Sequence, residues 1–345
     1  MPLPNLYSQK LPIAAQTYAL GGTTITFDVP RESVIDRMDV FISGIIGTGA
    51  ATVAIEGLSK LVARVDLRGS LSGQPELVPV SGLTGPDLYE VAQFHGNALP
   101  FVKGALGTAA FFYISIPIFF RENFFGAQVL NVLPSIPAYQ MSDLTLSIQT
   151  ALQSQVDVNA TPTFALTSAV CGVNVYQCYR DTIPASQQFI RGQFEVIQDD
   201  SVQTNSTREV KFPSGGDYTL MLLRSFLSAN AKQTDATATG TGPLTSETGT
   251  IKLYDLSRFT KEEVSFGKLR ATNVHQTIDD TLVDGNAAFV WNRGPSEIFQ
   301  TGKAGVALNN IIMQYDATTP ATGGKIRFVY RRLFDPANLL GIARP

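Results

Sequence analysis

Few residues in this sequence are of the types that perform acid–base chemistry or bind metals. The chain has two histidines, His95 and His275, and neither has a cysteine or carboxylate beside it at the spacing of a metal site. His95 follows a predicted helix, where a histidine most often interacts with the helix dipole or with solvent. No His-Glu-x-x-His, Cys-x-x-Cys, Gly-x-Ser-x-Gly or Walker sequence occurs. We therefore predict no catalytic residue, no metal site and no cofactor.

Three pairs of adjacent acids are the remaining candidates for hydrolytic chemistry: Asp199-Asp200, Glu262-Glu263 and Asp279-Asp280. A β-sandwich glycosidase needs two carboxylates that face each other across a cleft. Adjacent residues on a strand point to opposite faces, and acids in loops are usually solvated. The pairs therefore favour a protein that is not an enzyme.

The densest basic cluster consists of Arg327, Arg331 and Arg332. Strand alternation places Arg327 and Arg331 on the outward face. The opposite face would then carry Ile326, Phe328 and Tyr330. We interpret the arginines as an edge-strand or interface charge set; nothing in the sequence supports phosphate contact.

Two glycine-containing segments predict turns. The segment 44–49 (GIIGTG) lacks the lysine and the following helix that a phosphate-binding loop requires. The segment 68–73 (RGSLSG) follows an alternating run and is rich in glycine and serine. The sequons at Asn159 and Asn205 indicate exposed polar loops, because no secretion signal accompanies them.

The two cysteines, Cys171 and Cys178, lie in one predicted strand. An extended segment of this length spans roughly 23 Å, whereas disulfide partners need Cα atoms within about 7 Å. The cysteines therefore cannot pair with each other, and a reducing compartment is expected. The longest apolar run, around residues 111–120, is interrupted by Ser115 and Pro117 and is too short to span a bilayer.

The elements that must position these residues are mostly short strands. Residues 111–120 (FFYISIPIFF) and 143–149 (DLTLSIQ) bracket a loop with two prolines, and the second run alternates cleanly. Similar runs occur throughout, and a hairpin is predicted from residues 208–212 and 218–227. A further strand is predicted over 264–273, and one helix over 85–94, with Pro86 at its first position. Residues 230–250 contain almost no large apolar residue and predict an exposed loop.

Composition points towards assembly. Charged residues make up 16% of the 345 residues, against about 25% in typical soluble proteins. We interpret this low charged content as a sign that part of the surface is buried against other chains. A monomer rich in Ser, Thr, Gln and Asn is the alternative. The net charge is −3, and residues 1–30 carry only one basic residue, Lys10. We therefore expect no direct nucleic-acid binding.

The chain divides into two halves of similar length and style. We predict an N-terminal arm over 1–20, a first domain over 21–182, a linker over 183–188 and a second domain over 189–345. The closing segments 142–149 and 309–316 resemble each other, which indicates a duplicated fold. Many short strands separated by turns predict an all-β protein with two tandem jelly-roll β-sandwiches and a few short helices.

Three groups of segments resemble the double jelly-roll major capsid proteins of tailless icosahedral viruses, especially bacteriophages with an internal membrane. They are 61–70 (LVARVDLRGS) with the helix near Pro86, 112–120 with 132–148, and 309–317 with 323–333. The resemblance implies that three chains form a trimer, a pseudo-hexagonal capsomer that tiles the virion shell. It also implies contacts with neighbouring capsomers, with penton and minor capsid proteins and with an internal membrane, after assembly in the host cytoplasm.

Two other classes of protein remain open at this point. A receptor- or carbohydrate-binding β-sandwich spike is one alternative, although sugar sites favour exposed aromatics and the chain has a single tryptophan, Trp291. A β-sandwich hydrolase is the other, and the scarcity of histidine weighs against it. On the capsid hypothesis, residues 111–149 and about 288–333 should superpose as equivalent parts of two domains.

Overall fold

Strands with alternating apolar side chains form sheets in both units of the chain, Met1–Phe194 and Glu195–Pro345, in the computed structural model. Every description below concerns the part of the chain that the structure describes. These residues are 8–48, 57–71, 76–95, 101–103, 109–120, 122–123, 130–131, 135–157, 161–178, 191–199, 206–214, 217–226, 250–254, 260–274, 285–290, 299–300, 311–317 and 325–334.

The first unit is built from strands with few helical segments. Two short helices, α1 and α2, and two 3-10 turns, Gly57–Leu61 and Ala138–Gln140, lie between the strands. The bounds are β1 Ser8–Thr17, β2 Thr24–Asp28, β3 Val34–Thr48, β4 Val62–Leu71, β5 Leu77–Leu83, α1 Gly85–His95, β6 Phe101–Lys103, β7 Phe111–Phe119, β8 Glu122–Asn123, β9 Leu130–Asn131, β10 Met141–Thr150, α2 Gln153–Val156 and β11 Ala165–Cys178.

Two sheets of the first unit face each other. Sheet A has the order β1-β11-β3-β7-β6, and sheet B has the order β2-β10-β4-β5. If the eight principal strands are numbered along the chain, sheet A runs 1-8-3-6 and sheet B runs 2-7-4-5. This connectivity is that of a jelly roll, in which two Greek keys close one sandwich.

The alternation predicted for residues 143–149 is confirmed in β10. Leu144, Leu146 and Ile148 are fully buried, while Ser147 and Gln149 lie on the other face. The strand lies between β2 and β4 and pairs with both along most of its length. The inner faces of β3 and β7 complete the core with Met38, Val40, Ile42, Phe112, Ile114 and Ile116.

The structure differs from the prediction of a separate N-terminal arm, because Ser8–Thr17 forms β1 at the edge of sheet A. It pairs antiparallel with β11, from Ser8 opposite Cys178 to Thr17 opposite Val170. Over residues 10–17 its side chains are exposed except those of Leu11 and Ile13, which are half-buried. Pro12 within β1 is compatible with an edge strand, which need not donate every backbone hydrogen bond.

A β-bulge divides β11. Thr167 pairs with Ile45 and Val170 pairs with Ser43, so three steps on β11 match two on β3. Ser168 takes φ 54°, which is uncommon for a residue other than glycine. The extra residue shifts the side-chain alternation, so that Val170 faces outward while Cys171, Val173 and Val175 face the core.

The described parts of the two glycine segments that predicted turns, residues 44–48 and 68–71, lie within strands. β3 continues through Gly44 and Gly47 to Thr48, and β4 continues through Gly69 to Leu71. A Cβ on Gly44 would approach the Ala169 Cα to 2.8 Å, and one on Gly69 would approach the Asp143 carbonyl oxygen to 2.8 Å. Gly44 and Gly69 allow neighbouring strands to pack closely, which explains why these described residues form strands and not the predicted turns.

The predicted helix is confirmed as α1. The Thr84 backbone N–H donates to Asp87 Oδ2 at 2.8 Å, and the Asp87 N–H donates to Thr84 Oγ1 at 3.3 Å. These reciprocal bonds satisfy two donors that the helix start would otherwise leave free. A Cβ on Gly85 would lie 2.0 Å from the Ser59 carbonyl oxygen, so only glycine fits there without a shift of the backbone.

The second unit repeats this architecture. Its first strand begins just before the division between the units, and a single helix, α3, occurs among the described residues. The bounds are β12 Arg191–Asp199, β13 Ser206–Lys211, β14 Asp217–Phe226, β15 Thr250–Tyr254, β16 Thr260–Ser265, α3 Phe266–Val274, β17 Asn286–Val290, β18 Phe299–Gln300, β19 Ile312–Ala317 and β20 Lys325–Phe334.

The sheets of the second unit have the same order as those of the first. Sheet C runs β12-β20-β14-β17 and sheet D runs β13-β19-β15-β16, which are again orders 1-8-3-6 and 2-7-4-5. The chain is therefore an all-β double jelly roll. The hairpin predicted from residues 208–227 is wrong, because β13 pairs with β19 and β14 pairs with β20 and β17, in different sheets.

The strand predicted over 264–273 is also wrong after Ser265, because the chain turns there into α3. Phe266 and Leu269 are buried one helical turn apart, and Ser265 Oγ accepts the Lys268 N–H at 3.3 Å as an N-terminal cap. Asn273, two turns from Phe266, donates to and accepts from the Ala288 backbone at 2.7 Å. The helical spacing was present in the sequence but short.

The resemblance between the segments 142–149 and 309–316 has a topological basis. β10 and β19 are both the seventh principal strand of their unit, each between the second and the fourth. Residues 111–149 span the sixth and seventh strands, and their counterparts are β17 to β19, so the predicted stretch to 333 includes one additional strand. The domain limits 21–182, 183–188 and 189–345 stay predictions, and residues 183–188 and 230–249 lie outside the described residues.

Candidate functional site

The acid pairs do not form a catalytic dyad in the described part of the chain. Glu262 and Glu263 follow each other on β16 and therefore point to opposite faces. Lys252 on β15 pairs with Glu263, with Nζ 3.0 Å from Oε1. Asp199 ends β12, while Asp200, Asp279 and Asp280 lie outside the described residues.

The candidate ligands do not converge either. His95 is the last residue of α1, and its side chain, like all of His275, lies outside the described part. Among the residues that the structure describes, no group of three or more His, Cys, Asp or Glu side chains could bind a metal ion. The sequon asparagines Asn159 and Asn205 are likewise not described.

The cysteine prediction agrees with the strand geometry. Cys171 and Cys178 lie seven positions apart on β11, and Cys171 is buried with a free thiol. Burial raises the pKa of the Cys171 thiol to about 12. The thiol is therefore an inert part of the core of the first unit.

One predicted position for the arginine cluster, a sheet edge, is wrong. β20 lies between β14 and β12, and the Arg331 side chain is 1% exposed. The predicted alternation itself is correct, because Ile326, Phe328 and Tyr330 belong to the core of the second unit. The outward face of β20 is thus also covered, which strand alternation alone cannot reveal.

Charged groups in this region are held by structural contacts. Arg332 Nε donates to Glu195 Oε2 at 2.8 Å, and Nη1 donates to the Ser214 carbonyl oxygen at 3.2 Å. Burial and, to a lesser extent, the cross-strand neighbour Arg327 lower the pKa of Arg224 to about 9. These buried and paired arginines belong to the packing of the sheet and do not indicate an exposed phosphate site.

The outer surfaces are therefore the remaining candidates for a functional site in the described residues. The outer faces of sheets A and B differ in the polarity of their side chains. Sheet B presents polar side chains to solvent. Arg64 on this face pairs with Asp66, with Nε 2.5 Å from Oδ2, and Arg68 lies 3.6 Å from Glu76. The exposed positions are Thr24, Thr26, Asp28, Arg64, Arg68, Ser142, Asp143 and Gln149.

The outer face of sheet A carries an apolar patch, defined here as Ile45, Phe111 and Val170. Phe111 is 64% exposed, Ile45 38% and Val170 36%. Ile45 and Phe111 are direct cross-strand partners, and Val170 lies opposite Ser43, two residues from Ile45 on the same face. Large apolar side chains this exposed and this close together usually mark a contact surface.

Aromatic rings continue this surface along the sheet. The Phe41 and Tyr113 rings are stacked, with centroids 6.1 Å apart and planes at 14°. A Cβ on Gly172 would lie 2.3 Å from Phe41 Cζ, so the glycine makes room for the ring to lie against β11. The aromatic layer beside the patch is thus fixed in place by the strand packing.

A charged cluster bounds the same face. The Arg37 guanidinium lies 3.7 Å from the centre of the Tyr176 ring, and its Nε is 3.0 Å from Asp39 Oδ1. Burial raises the pKa of the Asp39 carboxyl, and the nearby Arg37 opposes that effect. The apolar surface is therefore limited on this side by an internally neutralised ion pair.

Sequence reasoning missed the patch because residues 111–120 were interpreted as a core strand. β7 confirms the strand, but in its first half only alternate side chains, those of Phe112 and Ile114, are buried. Tyr113 and Ser115 in the outward positions were the available signal. Phe111 shares their face.

The sequence was compared first with family models and with curated proteins. No family model matches the sequence, and no curated protein matches it. In the described part of the chain, no helix is both long enough and apolar enough to cross a membrane.

Solved structures match along nearly the whole length. The STIV MCP (Sulfolobus Turreted Icosahedral Virus) is 14% identical with a TM-score of 0.64, covering 97% of this chain and 98% of that one. The major capsid protein P2 of Bacteriophage PM2 is 8% identical with a TM-score of 0.57, covering 96% and 99%. The Faustovirus major capsid protein is 10% identical with a TM-score of 0.52, covering 97% and 90%.

At these identities the similarity is one of fold. The chain has the double jelly-roll fold that these capsid proteins share. The similarity extends over at least 90% of the length of each of these three proteins. The predicted fold class is therefore confirmed.

Proposed function

We propose that this chain is a structural major capsid protein whose homotrimers form the pseudo-hexagonal capsomers of an icosahedral virion shell. The observation that carries the proposal is the repeated strand order, 1-8-3-6 and 2-7-4-5 in both units. Solved capsid proteins of three viruses share the fold over at least 96% of this chain. A fold alone does not define a function, so the proposal also depends on the surfaces.

The duplicated unit explains the capsomer geometry. Two similar domains in each of three chains present six similar bodies around a three-fold axis, which allows a trimer to occupy a position with hexagonal surroundings. Closed symmetric assembly of identical chains is the usual way in which soluble proteins form oligomers. The low charged content, 16%, is compatible with large contacts between copies.

The proposed partners are mainly other copies of this chain, in the trimer and in neighbouring capsomers. Penton and minor capsid proteins and an internal viral membrane are further proposed contacts, in a virion assembled in the host cytoplasm. Residues 1–30 carry one basic residue, Lys10, and the net charge is −3. Neither favours direct genome binding, which requires phosphate neutralisation.

The proposal is tested by the mass and outline of the purified full chain. We expect native mass spectrometry at micromolar concentration to give three times the monomer mass. We expect negative-stain electron microscopy to show particles with a hexagonal outline. A stable monomer under virion-like salt would contradict the proposal, and a monomer that binds on a glycan array would favour the spike alternative.

A further inference from the structure

Sheet A offers a surface that the core of the first unit does not use. Its apolar patch of Ile45, Phe111 and Val170 contains three of the four large hydrophobic side chains that are exposed in the described residues. The fourth, Leu152, would lie 3.2 Å from a Cβ on Gly22, away from this face. The exposed apolar surface is therefore concentrated at one place.

The surface is also preorganised. Strand pairing fixes Phe111 beside Ile45, and the stacked Phe41 and Tyr113 rings extend the apolar layer across β3 and β7. Side chains held in place before binding lose little conformational entropy when a partner covers them. A well-packed aromatic centre is also the usual composition of a binding hot spot.

The contrast with sheet B indicates which face is made for solvent. Sheet B exposes threonine, serine, glutamine and ion-paired arginine, whereas the patch on sheet A has no charged side chain. A neutral, apolar surface does not fit an anionic lipid headgroup or a nucleic acid. It fits an equally neutral protein surface.

A second copy of this chain is such a surface. Every copy carries the same patch, and copies with a net charge of −3 avoid mutual repulsion best where their contact is uncharged. The strands of sheet A range from three residues in β6 to fifteen in β3. At about 3.3 Å per residue and about 4.8 Å between strands, their summed length gives the sheet a face of about 800 Å². This is about the area per partner of a standard interface.

We propose that the outer face of sheet A, centred on Phe111, Ile45 and Val170, is the surface through which one copy of this chain binds another. The proposal rests on the proposed capsid function, since it names the contact surface of the same assembly. The partner is an identical chain, and the contact is apolar and aromatic at its centre.

The test compares two pairs of substitutions in the full chain. Phe111→Asp with Val170→Asp places two charges in the patch. The matched control, Thr26→Asp with Gln149→Asp, places the same two charges on exposed strand positions of sheet B. We expect the patch variant to need at least about tenfold higher concentration for association, and the control to associate like the unchanged chain.

The outcomes separate this inference from the capsid function. If the unchanged chain and both variants form trimers with equal affinity, the patch inference is wrong and the capsid function stands. If the unchanged chain is monomeric, the capsid function fails first. Circular dichroism of each variant establishes that it is folded.

A second measurement does not depend on the folding of the charged variants. A photoreactive benzoylphenylalanine in place of Phe111 preserves the apolar character of the patch. In assemblies mixed from isotopically light and heavy chains, we expect crosslinks that join a light chain to a heavy one. Crosslinks confined to single chains would show that a segment of the same chain covers the patch, and would overturn the inference.

Discussion

Tyr18 shows how one side chain can join three separate segments of the first unit. Its buried hydroxyl donates to the Leu61 carbonyl oxygen at 2.6 Å and accepts the Ala151 N–H at 3.2 Å. The tyrosine follows β1, Leu61 ends a 3-10 turn, and Ala151 follows β10. Burial raises the pKa of Tyr18 well above its usual value, so the hydroxyl stays protonated.

Replacing Tyr18 with phenylalanine should lower the free energy of unfolding by about 1–2 kcal/mol, because buried backbone groups lose a partner. Tyr139→Phe is the matched control, since its hydroxyl accepts an exposed bond from Gln140 Nε2. We expect that control to change stability by less than about 0.5 kcal/mol. Urea denaturation of the two variants measures the difference, and equal effects would contradict the structural role of Tyr18.

The Cys171 thiol should be unreactive in the folded chain. Its raised pKa, about 12 against 9.0 for the free group, lowers the thiolate fraction at pH 8 about a thousandfold. The stabilisation from keeping the thiol protonated is present below pH 9 and is lost as the pH rises towards 12. In a Cys178→Ser variant, iodoacetamide should label Cys171 only after unfolding; rapid labelling of the folded chain would exclude this burial.

At the scale of elements, β1 and β3 differ in how firmly their side chains hold them in sheet A. β1 depends on backbone pairing with β11, because most of its side chains are exposed. β3, in contrast, is paired on both sides and buries Met38, Val40 and Ile42 completely.

Amide exchange should reflect this difference. We expect the backbone amides of β1 to exchange with deuterium well before those of β3, because opening an edge strand exposes little apolar surface. Mass spectrometry of the two peptides, in trimer and in dilute monomer, measures this. Equal protection of β1 and β3 in the monomer would contradict the prediction.

Strands with a clear apolar pattern could be predicted from the sequence, and β7, β10 and β20 are confirmed. Other elements could not be predicted, for two physical reasons. Gly44 and Gly69 have the composition of turns, but close strand packing requires them. The pairing of β13 with β19, about a hundred residues away, is a tertiary contact for which local spacing holds no signal.

The candidate surface was harder to predict than the fold. Composition indicated that surface is buried between chains, but not where. Phe111 and Phe112 are identical in type, and only the pairing of β7 with β3 decides which one faces outward. Val170 is outward only because of the bulge at Ser168, which no sequence pattern revealed.

At the scale of the whole molecule, association should depend weakly on salt. The proposed contact is apolar, and charges make up 16% of the chain, so screening has little to weaken. We expect the trimer fraction, measured by light scattering, to change little between about 0.05 and 1 M NaCl, although the Debye length falls to about 3 Å at the upper limit. Dissociation at high salt would indicate an interface held by ion pairs.

The bulge in β11 has a consequence for how this chain can change over time. Because β11 contains one extra residue, its inward and outward positions alternate in one phase before Ser168 and in the opposite phase after it. Deletion of Ser168 alone would restore regular pairing, with Ala169 opposite Gly44 and Val170 still opposite Ser43, so Val170 would stay outward and Cys171 inward. A deletion in a regular part of the strand would instead exchange the inward and outward positions of the side chains that follow it. The length of β11 can therefore change at the bulge without exposing the core, whereas elsewhere in the strand the core holds the length constant.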